Sequence, residues 1–192
     1  MTRLLICIAV CAGLAGCGQQ DVARVRDGAA LEAAEAPDGD AFGAGIVLCR
    51  RVGSKTGKRI AVGDAFAESP EKKNRYINAF VDVSGATPGT HQVHLVWIKP
   101  GGREMFRKFA EVAVTPAPEG FVTEVAWLKA EDLQYRKTED PVAGPEPDFT
   151  LHTRLNVAPD KARVPGEYAL RVYWNRELLV EKTFTFEAPE RG

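Results

Sequence analysis

The sequence predicts an all-β domain folded as an antiparallel, two-layer sandwich. Short apolar runs alternate with polar residues at a period of two, which is typical of strands with one buried face. Turn residues separate these runs at regular spacing, and no run of useful length inside the domain has the helical period. The chain has 192 residues, 45% hydrophobic and 27% charged, which suits one globular domain with short attachments. This composition excludes collagen-like, fully disordered and multi-pass membrane proteins.

The alternation begins after Gly45 and predicts six to eight strands. The clearest runs lie at 77–83, 91–99, 105–114, 121–128, 149–157, 168–174 and 178–186. The pair 105–114 and 91–99 forms a predicted hairpin around Pro100 and two glycines. Pro116 and Pro118 are expected to end the pairing of the third run, since proline cannot donate to a ladder.

Tyr168 begins the most regular of these runs and follows Pro165, Gly166 and Glu167. This segment resembles the entry to the penultimate strand of immunoglobulin-like domains, where a tyrosine precedes the second cysteine by two residues. Leu170 occupies that cysteine position here, and Trp97 lies in the middle of an earlier strand. The resemblance implies an immunoglobulin-like sandwich over 44–188 in which apolar packing replaces the disulfide, as in fibronectin-like domains.

The N-terminus has the pattern of an export signal. Arg3 precedes an apolar run, 4–14, which is too short for a stable transmembrane anchor. The run ends in Leu14, Ala15, Gly16 and Cys17, which resembles the lipobox of bacterial lipoproteins. The resemblance implies a signal peptide at 1–16, cleavage before Cys17, and acylation of the Cys17 thiol by membrane lipid.

A flexible tether is predicted at 17–43, because this segment is rich in Ala, Gly, Asp and Glu and offers no core. Residues 189–192 form a short tail. No aspartate follows Cys17, and in the lipoproteins that it resembles this favours the outer membrane over the inner one. Cys49 is then unpaired in the mature chain, and its apolar neighbours favour a buried, inert thiol over a reactive one.

Two segments are candidate partner contacts. The first is basic and contains Arg50, Arg51 and Lys55, followed by Lys58 and Arg59. It suits contact with an anionic surface, or alternatively a solvated edge strand kept monomeric by charge. The second is 129–148, where a structureless connection with a helical turn at 130–133 is expected.

The second segment carries Tyr135, Arg136 and Lys137, an amphipathic group suited to a protein partner, although its prolines are equally suited to shaping a corner. Trp97, Tyr168, Phe184 and Phe186 are predicted core residues. Trp127, Tyr173 and one of Trp174 or Phe121 are candidates for an outward binding patch.

Catalytic chemistry finds no support in the sequence. His91 and His94 point to opposite faces of one strand, so only His94 with His152 remains as a metal pair, and solvent-facing histidines are the simpler expectation. The serines lack an elbow motif, and phosphate-loop spacing is absent. We expect no cofactor and no bound metal.

The sequence thus favours a non-enzymatic module on the periplasmic face of a bacterial membrane, acting with an envelope protein partner. The net charge of −1 gives no reason to expect a nucleic-acid partner. The alternative is a carbohydrate- or lipid-binding protein with an aromatic-lined site near Trp127 or Trp174.

Overall fold

The computed structural model describes residues 42–129 and 133–188. The predicted signal peptide, Cys17, nearly all of the tether and the tail lie outside this range. The described residues form twelve strands and two 3-10 turns, Lys72–Asn74 and Pro159–Lys161. The strands are β1 (Gly43–Val52), β2 (Arg59–Val62), β3 (Ala65–Ala67), β4 (Tyr76–Ser84), β5 (Gly89–Ile98), β6 (Glu104–Ala117), β7 (Gly120–Leu128), β8 (Tyr135–Thr138), β9 (Val142–Gly144), β10 (Phe149–Asn156), β11 (Gly166–Trp174) and β12 (Glu177–Glu187).

The strands form two sheets of unequal width. The small sheet has four strands in the order β10-β4-β1-β2. The large sheet has eight, in the order β3-β12-β11-β5-β6-β7-β8, with β9 also paired to β7. All pairings are antiparallel except the one between β3 and β12. The predicted all-β, two-sheet sandwich is confirmed.

The strand order is that of an immunoglobulin-like sandwich. Strands β12, β11 and β5 form the centre of the large sheet, and β6 and β7 extend it as the extra strands of variable-type domains do. Strands β1, β4 and β10 form the facing sheet. Within the described residues, no helix is long and apolar enough to cross a membrane.

The core lies where the alternation places it. The predicted inward residues of β4 and β10 are buried, from Ile77 to Val83 and from Phe149 to Leu155. Trp97 of β5 is fully buried and donates an indole hydrogen bond to Thr153 Oγ1 of β10, at 3.3 Å. This bond joins the two sheets and satisfies two polar groups that burial would otherwise leave unpaired.

Tyr168 forms a corner at the start of β11. Its hydroxyl donates to the carbonyl of Val164 at 2.7 Å, and its ring is 2% exposed. Leu170, at the position of the missing cysteine, is fully buried and lies directly opposite Trp97 in the β11–β5 register. Apolar packing therefore replaces the disulfide, as the resemblance implied, and the Tyr168 hydrogen bond adds to it.

Cys49 is a free cysteine with no exposed surface. Burial raises the pKa of its thiol above the ordinary value, despite nearby Arg59 and backbone hydrogen bonds. A protonated, enclosed thiol is a poor nucleophile, which supports the expectation of an inert core residue.

The expectation of a structureless connection at 129–148 is wrong for its described part. Strand β8 pairs with the Trp127 end of β7, and β9 pairs with the Phe121 end. These strands have four and three residues, too short for a period to show in the sequence. Their order comes from hydrogen bonds to the edge that β7 offers. The helical turn expected at 130–133 lies mostly outside the described residues.

The predicted stop of pairing at Pro116 is also wrong. Strand β6 continues to Ala117, and Pro116 lies opposite Phe121 of β7. On the other side of β6 the β5 partner ends earlier, with Gly89 opposite Val114. Proline is tolerated here because β6 has no partner strand on one side at this position, so the hydrogen bond that proline cannot donate is not required there.

The Tyr168 corner gives a direct stability test. Tyr168→Phe removes one buried hydrogen bond and leaves the Val164 carbonyl without its partner, so we expect a loss of about 1–2 kcal/mol in the free energy of unfolding. Urea denaturation monitored by fluorescence measures the loss. Tyr76→Phe is the control, since no described residue is hydrogen-bonded to the Tyr76 hydroxyl, and it should change stability little. Equal effects of the two changes would contradict the corner's role.

Candidate functional site

A cleft opens at the side of the sandwich where the small sheet ends at β10. The Trp97–Thr153 bond places β10 opposite β5, so β6, β7 and β8 continue beyond the small sheet. We call this opening the Trp127 cleft. Its volume is about 330 Å³, and its lining residues are Lys108, Trp127, Leu128, Lys137, Glu139, His152 and Arg154.

Trp127 forms the apolar wall of the cleft. Its half-buried ring lies on the same face of β7 as the buried Val125 and packs against the core. Its indole N–H donates to Glu139 Oε1 at 2.7 Å, and the Lys108 ammonium lies 5.5 Å from the ring centroid. A hydrogen bond and a cation–π contact therefore fix both the ring and the carboxylate.

His152 faces the cleft from the outer side of β10. Its Nε2 lies 3.2 Å from Asn78 Oδ1, and Asn78 Nδ2 donates to the Arg50 carbonyl at 3.2 Å. Since that second bond fixes the amide orientation, Oδ1 accepts and Nε2 carries the proton. The imidazole also stacks on Phe80, with centroids 4.7 Å apart.

Burial and nearby cations favour the neutral form of His152. Burial, followed by the cations Lys108 and Arg154, lowers its pKa below 6.5, and Glu139 opposes this only in part. Neutral His152 with a proton on Nε2 has Nδ1 as a hydrogen-bond acceptor. The cleft therefore combines cationic donors with two acceptors, Glu139 and His152.

Arg154 and Lys137 are the exposed cations of the cleft. The Arg154 guanidinium lies 4.3 Å from the centroid of the Tyr76 ring, which holds its plane on the outer face of the small sheet. Lys137 lies opposite Trp127 in the β8–β7 register and thus on the same face of the large sheet.

The predicted contacts divide between two places. Trp127 and Lys137 line the cleft, whereas Arg50, Arg51 and Lys55 belong to the β1–β2 hairpin and do not line it. Tyr135 and Arg136 lie in β8 by their backbone, but their side chains fall outside the described part of the structure. All these residues remain candidate contacts.

The basic hairpin is less available than its composition suggests. The Arg50 guanidinium donates to the carbonyls of Ala67 and Asn74 and lies over the Phe66 ring. Arg59 forms two hydrogen bonds with the Asp82 carboxylate, at 2.6 and 2.7 Å. Burial works against ionisation of Asp82, but hydrogen bonds from Arg59 and Thr150 outweigh it and lower the pKa. Since β2 is an edge strand, these contacts favour the solvated-edge interpretation.

The aromatic site considered near Trp174 is closed. Trp174 is 8% exposed and packs against Phe42, His91 and Phe149, with ring centroids 4.5–6.2 Å away. Tyr173 packs against a small, separate hydrophobic cluster that consists of Val96, Ile98 and Ala169. Trp127 was a candidate for the outer face, and the structure instead places it on the core-facing side, where the small sheet no longer covers it.

The histidines do not converge on a metal. Among the described residues, no group of three or more His, Cys, Asp or Glu side chains is arranged to hold an ion. His94 contacts Arg107 and Phe109, and His152 contacts Asn78 and Phe80. The expectation of solvent-facing histidines is wrong for His91, which is buried and bonded to the Thr87 carbonyl at 2.8 Å.

Sequence reasoning did not name five of the seven residues of the cleft as contacts: Lys108, Leu128, Glu139, His152 and Arg154. It considered His152 only as a metal ligand. The alternation of β10 did indicate that His152 and Arg154 share one face of the strand, the face away from the buried Leu151 and Leu155. Nothing in the sequence indicated that β6–β8 would pass the edge of the small sheet and face these two residues.

The fold and the cleft define a class: an immunoglobulin-like sandwich with a polar, tryptophan-walled side cleft. No protein-family model matches the chain, and no curated protein matches it. An immunoglobulin-like protein from Pseudomonas aeruginosa is similar in structure, with 16% identity, a TM-score of 0.38, and coverage of 77% of this chain and 92% of the other.

A second similar structure is an alkylpurine DNA glycosylase from Pseudomonas fluorescens, bound to DNA with an abasic site analog. Its identity is 13% and its TM-score 0.35, over 74% of this chain and 30% of that one. At these TM-scores neither likeness bears on function, and the fold assignment rests on strand order and the Tyr168 corner.

The lowered pKa of His152 gives a pH-dependent stability. Between the folded and the unfolded pKa the unfolded chain binds more protons, so stability falls as the pH drops from about 6.5 toward the folded value. His152→Gln should remove part of this slope, as measured by urea unfolding from pH 8 to about 5.

His94→Gln is the matched comparison, because burial and the nearby Arg107 and Arg176 also lower the pKa of His94. Each single change should flatten the profile and the double change should flatten it further. A profile unchanged by His152→Gln would show that this imidazole does not titrate differently on folding.

Proposed function

We propose that this chain is a lipid-anchored protein of the bacterial cell envelope whose sandwich is a non-enzymatic binding module. The anchor is Cys17, the preferred location is the periplasmic face of the outer membrane, and the binding surface is the Trp127 cleft. The observation that carries the binding role is the convergence of cationic, acceptor and aromatic side chains from both sheets on one concave site.

The anchor is supported by the N-terminal sequence. Leu14, Ala15 and Gly16 precede Cys17, and β1 begins at Gly43. A flexible chain of ~25 residues has a coil dimension of about 25–30 Å, which is enough to hold a domain clear of lipid headgroups. Several acyl chains on one cysteine give stable attachment, since each buried methylene contributes ~0.8 kcal/mol.

The cleft supports a binding role better than the basic hairpin does. Its two exposed cations, Lys137 and Arg154, stand beside a fixed indole, while Arg50 and Arg59 of the hairpin are engaged within the domain. A carbohydrate ligand, the alternative function, is favoured by the same concave shape and by the position of Trp127. If the ligand is instead the envelope protein that the sequence analysis expected, we propose that this protein contacts the same cleft.

The anchor is tested by labelling. Cells that produce the wild-type chain should incorporate labelled palmitate into it and retain it in the membrane fraction. Cys17→Ser should abolish the label and leave the protein unprocessed, because the thiol is the acceptor of the lipid. Cys49→Ser is the control and should be labelled normally. Membrane retention and labelling of the Cys17→Ser chain at wild-type levels would refute the anchor.

The binding surface is tested by capture from the envelope. Full-length protein, crosslinked in cells and recovered in detergent, should retain a specific envelope component. Lys137→Glu should reduce that recovery about tenfold, because it removes a charged hydrogen-bond donor, whose contact contributes roughly 1.5–3 kcal/mol, and puts the opposite charge in its place. Lys55→Glu, the matched change in the hairpin, should have little effect. The opposite ranking would move the binding surface to the hairpin.

A further inference from the structure

We propose that the Trp127 cleft binds one anionic sugar unit, a pyranose ring that carries a carboxylate or a phosphate. This inference rests on the proposed function, since it takes the same cleft as the binding surface, and it adds the chemical class of the ligand. Carboxylate and phosphate share the chemistry that the cleft recognises, which is a compact anion attached to a hydroxyl-rich ring.

Charge is the first reason. The described lining of the cleft contains three cations, Lys108, Lys137 and Arg154, and one carboxylate, Glu139. Lys137 and Arg154 are the exposed ones, and they approach from opposite walls, β8 and β10. Ammonium and guanidinium groups are the side chains that bind carboxylate and phosphate most strongly.

The carboxylate is the second reason, because it excludes a bare anion. Glu139 is fixed in the cleft by the Trp127 indole and would repel an anion such as acetate, which offers only acceptors. A ligand that fits must bring hydrogen-bond donors as well. Sugar hydroxyls donate and accept, so one ring satisfies the cations, the Glu139 carboxylate and the acceptor Nδ1 of His152 together.

Shape and size are the third reason. The volume of about 330 Å³ is at the low end of small-molecule sites, which suits one ring and not an oligosaccharide. The half-buried Trp127 ring gives an apolar wall for the C–H face of a pyranose.

The cleft is also rigid before any ligand arrives. Trp127 is held by Glu139 and Lys108, and His152 is held by Asn78 and the Phe80 ring. Side chains fixed in this way lose little conformational freedom on binding, which improves the affinity of a small ligand.

The test is isothermal titration of the full-length protein in detergent with glucuronic acid, glucose 6-phosphate and glucose. We expect both charged sugars to bind at least about tenfold more tightly than glucose, since a hydrogen bond to a charged group contributes more than one between neutral groups. The relative affinities of the two charged probes distinguish a uronic acid from a sugar phosphate as the source of the anion, since the better match binds more tightly.

Two variants link the binding to the cleft. Lys137→Gln and Arg154→Gln should each weaken binding of the charged sugars about three- to tenfold, because both cations are exposed and partly screened by solvent. Glucose binding should change little. Lys72→Gln, an exposed lysine of the Lys72–Asn74 turn, is the matched control and should leave all three affinities unchanged.

Amide and indole NMR shifts of the wild-type protein provide a readout that does not depend on variant folding. The Trp127 indole N–H and the residues around His152 should shift on addition of glucuronic acid or glucose 6-phosphate. Equal affinity for glucose, shifts confined to other regions, or binding of an Asp-rich peptide in the absence of any sugar binding would overturn the proposal. Such a result leaves palmitate labelling and envelope capture standing, so the two proposals fail separately.

Discussion

The unequal width of the two sheets is the constraint on which the arrangement of this domain depends. Four strands face a sheet of eight, so the smaller layer cannot cover the larger one completely. The Trp97–Thr153 bond places β10, the edge of the small sheet, over β5. The inner face of β6, β7 and β8 is therefore not covered by the small sheet and carries side chains that can contact water. At the Trp127 end these are lysines and a half-buried indole, which tolerate both apolar contact and water. The cleft is therefore a consequence of the sheet mismatch.

The absence of a disulfide in the described domain places a second demand on packing. The positions that an antibody-type domain would bridge are filled here by apolar contact, with Leu170 against Trp97 at the centre. The Tyr168 hydroxyl adds a hydrogen bond at the corner, and Phe184 and Phe186 pack around its ring. A domain of this size buries enough apolar surface for such a core to suffice.

On the outer face of the small sheet, polar side chains are held by contacts with one another and with the Phe80 ring. Arg59 lies 4.5 Å from the centroid of the Phe80 ring, and His152 stacks against that ring as well. Asn78 is 8% exposed and bonds to both the Arg50 carbonyl and His152. These contacts hold the β10 wall of the cleft in place, so its geometry depends on residues that do not line it.

The period-two alternation predicted seven of the strands (β4, β5, β6, β7, β10, β11 and β12) and the inward residues of β4, β10 and β11, because the side-chain pattern of one face is a local property of a strand. The position of Tyr168 at the start of β11 followed from a local resemblance. The resemblance of residues 14–17 to a lipobox likewise depends only on adjacent residues, and the lipid anchor that it implies stays a prediction. Tertiary structure alone decided the rest. Strands β8 and β9 exist because β7 offers an edge, and β6 passes Pro116 because one of its sides is free. Trp127 and His152 line one cleft because the strands that carry them, which are distant in sequence, lie on either side of it. Such contacts form between segments that are far apart in sequence, and the residues of one segment do not indicate which other segment will pair with it or face it.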